Sequence, residues 1–465
     1  MAYPDPGIGR AAGPEPAPDD PRPGGDAPAP GAELIERLRR ARLHPVAGAP
    51  PVSDAPWLAT LAYGEPVLAR VAALGQAAQT AMRSGQASEC FAALGEQRAA
   101  AGTERAAQVW ALTLSSVCRA VLGQLGQSRA DLAEARQTCL YAEPLLAQPY
   151  WKFAEIVAGW LGGNWATAQA DAASLHSSEV TSVTPALDGV VLALRAEMLR
   201  GLGRPRESRL LAERLPGAAP AELAAWARAG LDVDDGRDVE AMHRLADVCD
   251  AGDRDGYRVA LPLVLHRLAG IAFARGERDV AAAAAAVLGE FDQAAPLTAI
   301  LTGLARAYGT GDPEPARHAQ QLAEAEGAGM LTAEALTARG RVGDAPAATL
   351  AAAHAAWERI GAPARARAVA AAMRDAGLAV PAAGQRWGGR APGRGPAALT
   401  ARERSVALLV HEGRTNQQIA HALNISVKTV EAYLTRLYRK TSCSSRVELA
   451  VAVTERRLIL DEKDD

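Results

Sequence analysis

Four basic side chains recur along one stretch near the carboxyl end, VKTVEAYLTRLYRKT (427–441), at a spacing suited to binding a polyanion. On a helix of about 100° per residue, one side gathers apolar residues and is expected to face a small core: Val427, Val430, Leu434, Leu437 and Tyr438. The opposite side gathers cations and short side chains, with Glu431 at its edge: Lys428, Thr429, Ala432, Thr435, Arg436, Arg439 and Lys440. Cations at the edges of such a helix face can bind phosphates. Short side chains at its centre let the helix approach base edges in the major groove of double-stranded DNA.

Capping signals predict the helices that would hold this stretch in place. Thr400, Thr415 and Ser445 each stand three residues before a glutamate or glutamine, which is the capping-box pattern of a helix start. Ser426 is suited to cap the basic helix itself. Four helix starts within so short a span predict a compact four-helix domain over 399–460.

The same residues resemble the LuxR-type helix-turn-helix family of DNA-binding domains. The resemblance rests on Leu399, Thr400, Arg402, Glu403, Val406, Leu409, Gly413, Asn416, Ile419, Ala420, Leu423, Ser426, Thr429, Val430, Leu437, Lys440, Ser445, Arg446, Glu448 and Leu449. It implies that bases are read by Glu431, Ala432 and Thr435. It also implies DNA contacts, mainly to phosphates, by Lys428, Thr429, Arg436, Arg439, Lys440 and Arg446.

Three departures from the family pattern limit what the resemblance can transfer. Glu431 stands where many relatives carry a basic residue, and an acid there could accept from cytosine or repel phosphate. Tyr433 replaces a frequent histidine, and Thr441-Ser442-Cys443 replaces Leu-Gly-Val before the fourth helix. The target DNA sequence therefore does not follow from the family.

Charge is distributed unevenly along a chain whose formal net charge is only −3. Residues 399–460 carry ten Lys and Arg against five acids, whereas residues 1–383 are net acidic. A basic module at the end of an acidic body predicts a polyanionic partner at that end only.

Helical repeats are predicted for most of the remaining chain. From about residue 60 to 380, an apolar helix, a glycine-centred turn and a second helix recur every 32 to 41 residues, a period typical of an α-solenoid. The turn glycines are assigned as Gly85, Gly126, Gly163, Gly203, Gly236, Gly276, Gly311 and Gly343. The pattern resembles degenerate tetratricopeptide repeats, and a plain multi-helix bundle is the alternative. The overall prediction is an all-α protein.

Domain limits follow from these patterns and from the segments rich in Pro and Gly. We predict a disordered tail at 1–31, a helical-repeat sensor or effector domain at 32–380 and a flexible basic linker at 381–398. The domain at 399–460 and an acidic tail at 461–465 complete the chain. The repeat domain is expected to begin with a helix over 32–43.

A weaker resemblance links the repeats, with the motif from Trp357 to Ala362, to the C-terminal part of the large ATP-binding LuxR regulators. Those proteins carry a nucleoside-triphosphatase module, but this chain has no Gly-Lys pair and hence no phosphate-binding G-x-x-x-x-G-K loop. Histidines and cysteines show no metal-ligand spacing. We therefore expect no cofactor, no metal and no enzymatic activity.

Tryptophans concentrate in the first half of the repeats, at Trp110, Trp151, Trp160, Trp165 and Trp226. We interpret them as anchors of the core between repeats, because tryptophan adds a large buried area to an alanine-rich stack. A ligand groove lined by these rings is the alternative.

Together the patterns predict a bacterial DNA-binding transcription regulator, an activator whose repeat domain senses a protein or small-molecule effector. Expected partners are double-stranded DNA, RNA polymerase and a second copy of the chain on DNA. No signal segment or membrane-length apolar run is present, so we expect a cytoplasmic, nucleoid-associated protein. The alternative is a protein-interaction scaffold carrying a vestigial DNA-binding module.

Overall fold

Helices account for all the regular secondary structure that the structure describes. The computed structural model describes residues 30–40, 66–139, 144–177, 185–217, 219–251, 257–380, 401–411, 413–423, 425–441 and 449. No strand occurs in these ranges, and none of their helices is long and apolar enough to cross a membrane. The chain divides into two compact units, Met1–Pro381 and Ala382–Asp465. The prediction of an all-α protein is confirmed.

Within the described residues, the first helix of the first unit is α1 (Pro30–Arg40), and from Pro66 onward helix pairs follow, the two helices of each pair joined by a short turn. The helices are α2 (Pro66–Arg83), α3 (Ala87–Ala101), α4 (Arg105–Leu122), α5 (Leu125–Thr138), α6 (Pro144–Gly162), α7 (Trp165–Ser177), α8 (Pro185–Gly201), α9 (Pro205–Arg214), α10 (Ala221–Asp234), α11 (Asp238–Ala251), α12 (Leu261–Ala274), α13 (Arg278–Leu288), α14 (Pro296–Thr310), α15 (Glu314–Ala325), α16 (Gly329–Arg341), α17 (Pro346–Ile360) and α18 (Pro363–Asp375). A short 3₁₀ helix, Arg258–Ala260, precedes α12.

A glycine in the left-handed conformation ends the first helix of most pairs and sets the turn. In the α2–α3 turn, Gly85 has φ 75°, and the next amide, Gln86 N–H, donates to the Ala81 carbonyl at 2.9 Å. The same bond spanning five residues recurs in later turns, for example from Asn164 to Gly159 at 2.8 Å. This is the Schellman arrangement, which satisfies carbonyls at a helix end and requires a residue that tolerates positive φ.

The prediction of one turn glycine, Gly126, is wrong. Gly126 lies inside α5, and the left-handed residue of that turn is Gly123, with φ 89°. Gly123 directly follows the last residue of α4, where the chain must reverse. A Cβ atom at Gly123 would also lie 2.7 Å from the Leu297 backbone nitrogen, so the start of α14 requires a glycine there. The other seven assigned glycines do have positive φ.

Successive pairs pack side by side, as in an α-solenoid, but the array also turns back on itself. Within the first unit, α4 meets α14, α6 meets α16 and α8 meets α18, each partner lying five pairs further along the chain. At one such crossing, a Cβ atom on Gly329 would lie only 2.7 Å from the Gly162 carbonyl oxygen. Nearby, the rings of Trp165 and Trp357 lie 5.9 Å apart. The first helices of the pairs therefore surround a narrow interior instead of an open groove.

The tryptophans singled out in the sequence are anchors of this core. Each is at most 7% exposed: Trp110, Trp151, Trp160, Trp165 and Trp226. The indole N–H of Trp151 donates to Thr113 Oγ1 at 2.8 Å, and that of Trp165 donates to the Trp160 carbonyl at 2.9 Å. The interpretation of these residues as core anchors is confirmed by their burial, and three of them, Trp160, Trp165 and Trp226, also line a cavity.

Helix α1 packs against a part of the chain that lies about two hundred residues away in sequence. Leu34 and Leu38 are fully buried, and α1 contacts α11 and α13. Arg37 bonds Glu33 within α1 at 2.7 Å and reaches Asp247 of α11. The helix begins at Pro30, inside the predicted tail, because proline is favoured in the first turn of a helix. Residues 1–29, 381–398 and 461–465 lie outside the described residues.

Candidate nucleic-acid interface

Three helices of the second unit are described: α19 (Ala401–His411), α20 (Asn416–Leu423) and α21 (Val427–Thr441). Gly413, with φ 76°, forms the turn after α19. Its N–H donates to the Val410 carbonyl and the Arg414 N–H donates to the Leu409 carbonyl, both at 3.0 Å. The same glycine chemistry that turns the repeats thus separates α19 from α20.

The start of α20 carries the predicted capping box. The Gln418 N–H donates to Thr415 Oγ1 at 3.3 Å, and the Thr415 N–H donates to Gln418 Oε1 at 2.8 Å. Two amides that have no partner within the helix are satisfied by this reciprocal pair. The capping prediction at Thr415 is confirmed, and the helix start is thereby fixed by two side chains.

The start of α21 is fixed by Ser426, as predicted. The Thr429 N–H donates to Ser426 Oγ at 3.1 Å, and the two hydroxyl oxygens lie 2.7 Å apart. Just before it, the Ile425 N–H donates to the Ala420 carbonyl at 3.0 Å and holds the connector tight against α20. The Thr429 hydroxyl therefore supports the helix start as well as lying at the surface.

A small apolar core holds the three helices and orients α21. Its buried members are Val406, Ala407, Val410, Ile419, Ala420, Val430, Leu434, Leu437 and Leu449. Leu449 shows that the segment after α21 contributes to this core, although the rest of the predicted fourth helix and its Ser445 cap lie outside the described residues. Glu403, which the sequence placed in a capping box with Thr400, is 3% exposed, and Thr400 lies outside the described residues.

Of the five residues that the helical wheel places on the inward side of α21, three agree with the structure, one differs, and the side chain of Tyr438 lies outside the described residues. Val430, Leu434 and Leu437 are buried, whereas Val427 is 38% exposed. Val427 opens the helix, one turn ahead of the first α21 residue that reaches the core, so the neighbouring helices do not cover it. Tyr433 is partly buried against the core, a role that sequence reasoning missed. Its position three residues after Val430 is the signal that would have found it.

Three predicted DNA-contacting residues have described side chains, and all three are exposed: Lys428, Thr429 and Glu431. Five others lie in the backbone of α21, but their side chains lie outside the described residues: Ala432, Thr435, Arg436, Arg439 and Lys440. Arg446 lies outside them entirely. Val430, Leu434 and Leu437 fix which side of α21 faces inward, and the exposed Lys428 lies on the opposite side.

Residues 397–453 match the family of bacterial regulatory proteins called the luxR family. The second unit carries a LuxR-type helix-turn-helix domain. Its α20, connector and α21 correspond to the two helices and tight turn of such a reader, and α21 is the helix that would enter the groove.

Relatives of this LuxR-type domain are named as regulators. "Probable transcriptional regulator ycf29" of Cyanophora paradoxa is 50% identical over 61 residues, 13% of this chain and 29% of the relative. The monoamine regulon transcriptional regulator of Klebsiella aerogenes is 44% identical over 54 residues, covering 12% and 24%. Response regulator Rre1 of Synechocystis is 50% identical over 51 residues, covering 11% and 22%.

Each match covers 51 to 61 residues, 11 to 13% of this chain. The chain spans less than a third of the length of each of these relatives. No solved structure matches the chain.

Proposed function

We propose that this protein is a DNA-binding transcription regulator that activates transcription when its repeat domain, residues 32–380, receives a signal. One observation carries the proposal: the LuxR-family match at 397–453 coincides with a helix whose apolar side is buried and whose Lys428 side is exposed. The regulator names of the relatives support the same function.

In this proposal, α21 lies in the major groove and its residues take two roles. Phosphates are held by Lys428, Thr429, Arg436, Arg439, Lys440 and Arg446. Base edges are read by Glu431, Ala432 and Thr435, whose short or acidic side chains suit a thymine methyl group or a cytosine amino group. The Thr429 hydroxyl remains able to contact a phosphate while it supports the Ser426 cap, because a hydroxyl both donates and accepts.

Two copies of the chain would meet on DNA through the segment after α21 and place two readers about one helical turn apart. RNA polymerase is the partner that an activator bound beside a promoter would recruit. Such a regulator acts in the cytoplasm, on the nucleoid. A scaffold whose DNA-binding module is vestigial would instead keep its full activity after deletion of residues 399–465.

The test measures binding of the full chain to a fluorescently labelled duplex across a range of salt concentrations. Binding by four cations of α21 gives a slope of log affinity against log salt of roughly −4 per domain, at about −0.9 per phosphate contact. Arg439→Glu weakens binding at least tenfold on all sequences, because a phosphate contact is replaced by repulsion.

The matched control is Arg105→Glu, which makes the same charge change at an exposed position of α4. It should leave DNA affinity unchanged. A salt-independent affinity, or equal binding by Arg439→Glu and the unchanged protein, would refute this assignment of the interface.

A further inference from the structure

An interior cavity of about 160 Å³ lies among the first helices of the repeat pairs in the first unit. Residues from α6, α7, α8, α10, α12, α14, α16 and α18 line it. It therefore exists only because the array turns back on itself. A cavity of about 150 Å³ with apolar walls is large enough to hold benzene, so this one is large enough for a small ring.

A buried ion cluster forms one wall of the cavity. The Glu197 carboxylate, 2% exposed, accepts from Arg200 at 2.8 Å, from Arg267 at 2.7 Å and from Arg365 at 2.6 Å. Burial alone would raise the pKa of Glu197, but the three guanidinium groups outweigh burial and hold that pKa well below its usual range. Glu197 is therefore ionised and already saturated with donors.

Among the residues that line the cavity and the carboxylates that bond to them, positive charge is in excess. Asp234 bonds Arg200 at 2.8 Å, and Glu334 lies 3.5 Å from Arg365. Arg341 also lines the cavity and forms no ion pair with any described carboxylate. With Glu197, three carboxylates thus face four guanidinium groups. Burial of His266 lowers its pKa to about 4, so that imidazole is neutral at pH 7 and adds no charge.

Buried polar atoms without hydrogen-bond partners occur on three residues that line the cavity. Of the residues that line the cavity, Trp160 Nε1, Arg365 Nε and His266 Nε2 have no hydrogen-bond partner, and the tryptophan and arginine nitrogens are N–H donors in every state. Trp160 is only 3% exposed as a whole, so its indole N–H has little access to bulk water. A buried donor left without an acceptor is costly, at about 1 to 3 kcal/mol. These donors indicate a ligand that brings acceptor oxygens.

Aromatic rings form the remaining wall. Trp160 and Trp226 meet edge to face with centroids 5.8 Å apart, and the Arg267 guanidinium lies 4.3 Å from the Trp226 centroid. Tyr308, 3% exposed, stands beside His266 at a centroid distance of 6.3 Å. Flat apolar walls beside an excess cation suit a ligand with a flat apolar body and one negative charge.

We propose that this cavity is a binding site for a small monocarboxylate with an unsaturated ring, about the size of benzoate. The carboxylate offsets the excess positive charge and supplies acceptors to the unpartnered N–H groups, while the ring packs against Trp160 and Trp226. In the proposed function, the signal received by the repeat domain would then be a ligand of this class. Binding itself does not depend on that function, whereas control of DNA affinity by the ligand does.

The test titrates the full-length protein with benzoate and phenylacetate by isothermal calorimetry, with neutral benzamide as the matched probe. We expect both acids to bind and to raise the melting temperature, and benzamide to bind at least tenfold more weakly. Equal binding of benzamide, no binding of either acid at millimolar concentration, or a ligand-soaked crystal showing only water in the cavity would overturn the proposal.

Two variants test whether the acids bind in the cavity. Arg341→Gln removes a guanidinium that is not paired with any described carboxylate, so folding should persist while acid affinity falls about tenfold. Its control is Arg359→Gln on the exposed side of α17. Trp160→Phe keeps an aromatic ring but removes the N–H, and should also weaken binding, whereas Trp110→Phe, in the core but outside the cavity lining, should not. Unchanged affinity in both cavity variants would refute the site.

DNA binding of the same preparations separates the two proposals. Acid binding that is retained in a protein that does not bind DNA would refute the proposed function and support the ligand site. DNA binding that is retained in a protein that binds neither acid would refute the ligand site alone.

Discussion

Two groups of cations, one in each unit, lie in opposite environments. In the LuxR-type domain, Lys428 is exposed beside the exposed Thr429. In the repeat unit, the Arg200 and Arg267 side chains are 9% and 10% exposed and are tied to Glu197. Exposed cations are screened by salt and suit the reversible binding of a large polyanion. Buried cations interact strongly over short distances, so they fix the interior and are able to select a small anion.

The largest expected effect comes from breaking the buried cluster. Glu197→Ala leaves Arg200, Arg267 and Arg365 without their shared carboxylate, and should destabilise the repeat unit by about 3 to 5 kcal/mol. Urea denaturation followed by circular dichroism measures this change. Glu207→Ala, which breaks the exposed pair with Arg204, is the control and should cost no more than about 1 kcal/mol. Equal costs for the two variants would contradict the contrast between buried and exposed charges.

The next effect is acid sensitivity caused by His266. Its folded pKa of about 4 lies below the usual 6.5, chiefly because burial opposes its charge; Glu334 raises the pKa, whereas Arg267 and Arg365 lower it. Between pH 6.5 and 4 the unfolded chain takes up a proton that the folded chain does not. Stability is therefore complete above pH 6.5 and falls as the pH drops through this window, by at most about 3 kcal/mol.

The free energy of unfolding, measured at several pH values, checks this prediction. In His266→Gln the loss between pH 6.5 and 4 should be smaller. His318→Gln, at an exposed position, should keep the full loss. If the two variants have the same pH profile, His266 is not the group responsible.

A smaller effect is expected where the array closes on itself. Gly329→Ala would place a methyl group 2.7 Å from the Gly162 carbonyl oxygen, and neither backbone can move aside easily. We expect a loss of about 1 to 3 kcal/mol. Gly95→Ala, at a helix position with open space around it, should instead stabilise by up to about 1 kcal/mol. A neutral Gly329→Ala would show that α6 and α16 are not in close contact.

The smallest expected effect is a loss of stability in the LuxR-type domain. Thr415→Ala removes half of the α20 capping box and should cost about 1 kcal/mol. Faster amide hydrogen exchange at Gln418 is the direct measurement. Thr80→Ala, exposed within α2, is the control and should leave exchange in its own helix unchanged or slower. Protection of Gln418 that survives the substitution would show that the cap does not hold this helix start.

What the sequence could predict depends on how far apart the interacting residues are. The caps at Thr415 and Ser426 act over three residues, so their residue types were sufficient to predict them. The glycine of the α4–α5 turn was assigned wrongly because two glycines, Gly123 and Gly126, stand three residues apart. Only their position relative to the end of α4 distinguishes them. Period and composition predicted the helices and the buried tryptophans in the same way, from local information.

The closure of the array was not predictable in this way. The bond from Arg365 to Glu197 spans 168 residues, and neither residue belongs to a motif. The cavity and its excess charge follow from that closure, so the sequence could suggest a groove lined by tryptophans but not the ion cluster beside it. The side of α21 proposed to contact DNA, by contrast, could be predicted from a single helix.

The long sequence separation between α1 and the helices that cover it affects the order in which the chain folds during synthesis. Its Arg37 bonds a residue 210 positions later, and Leu34 and Leu38 are buried only once α11 and α13 exist. At about 5 to 20 residues per second of synthesis, the nascent helix waits roughly 12 to 50 seconds for the surface that covers it, because the end of α13 lies about 250 residues after Leu38. During that interval its two leucines are accessible to chaperones, and α1 docks only after α11 and α13 have been made.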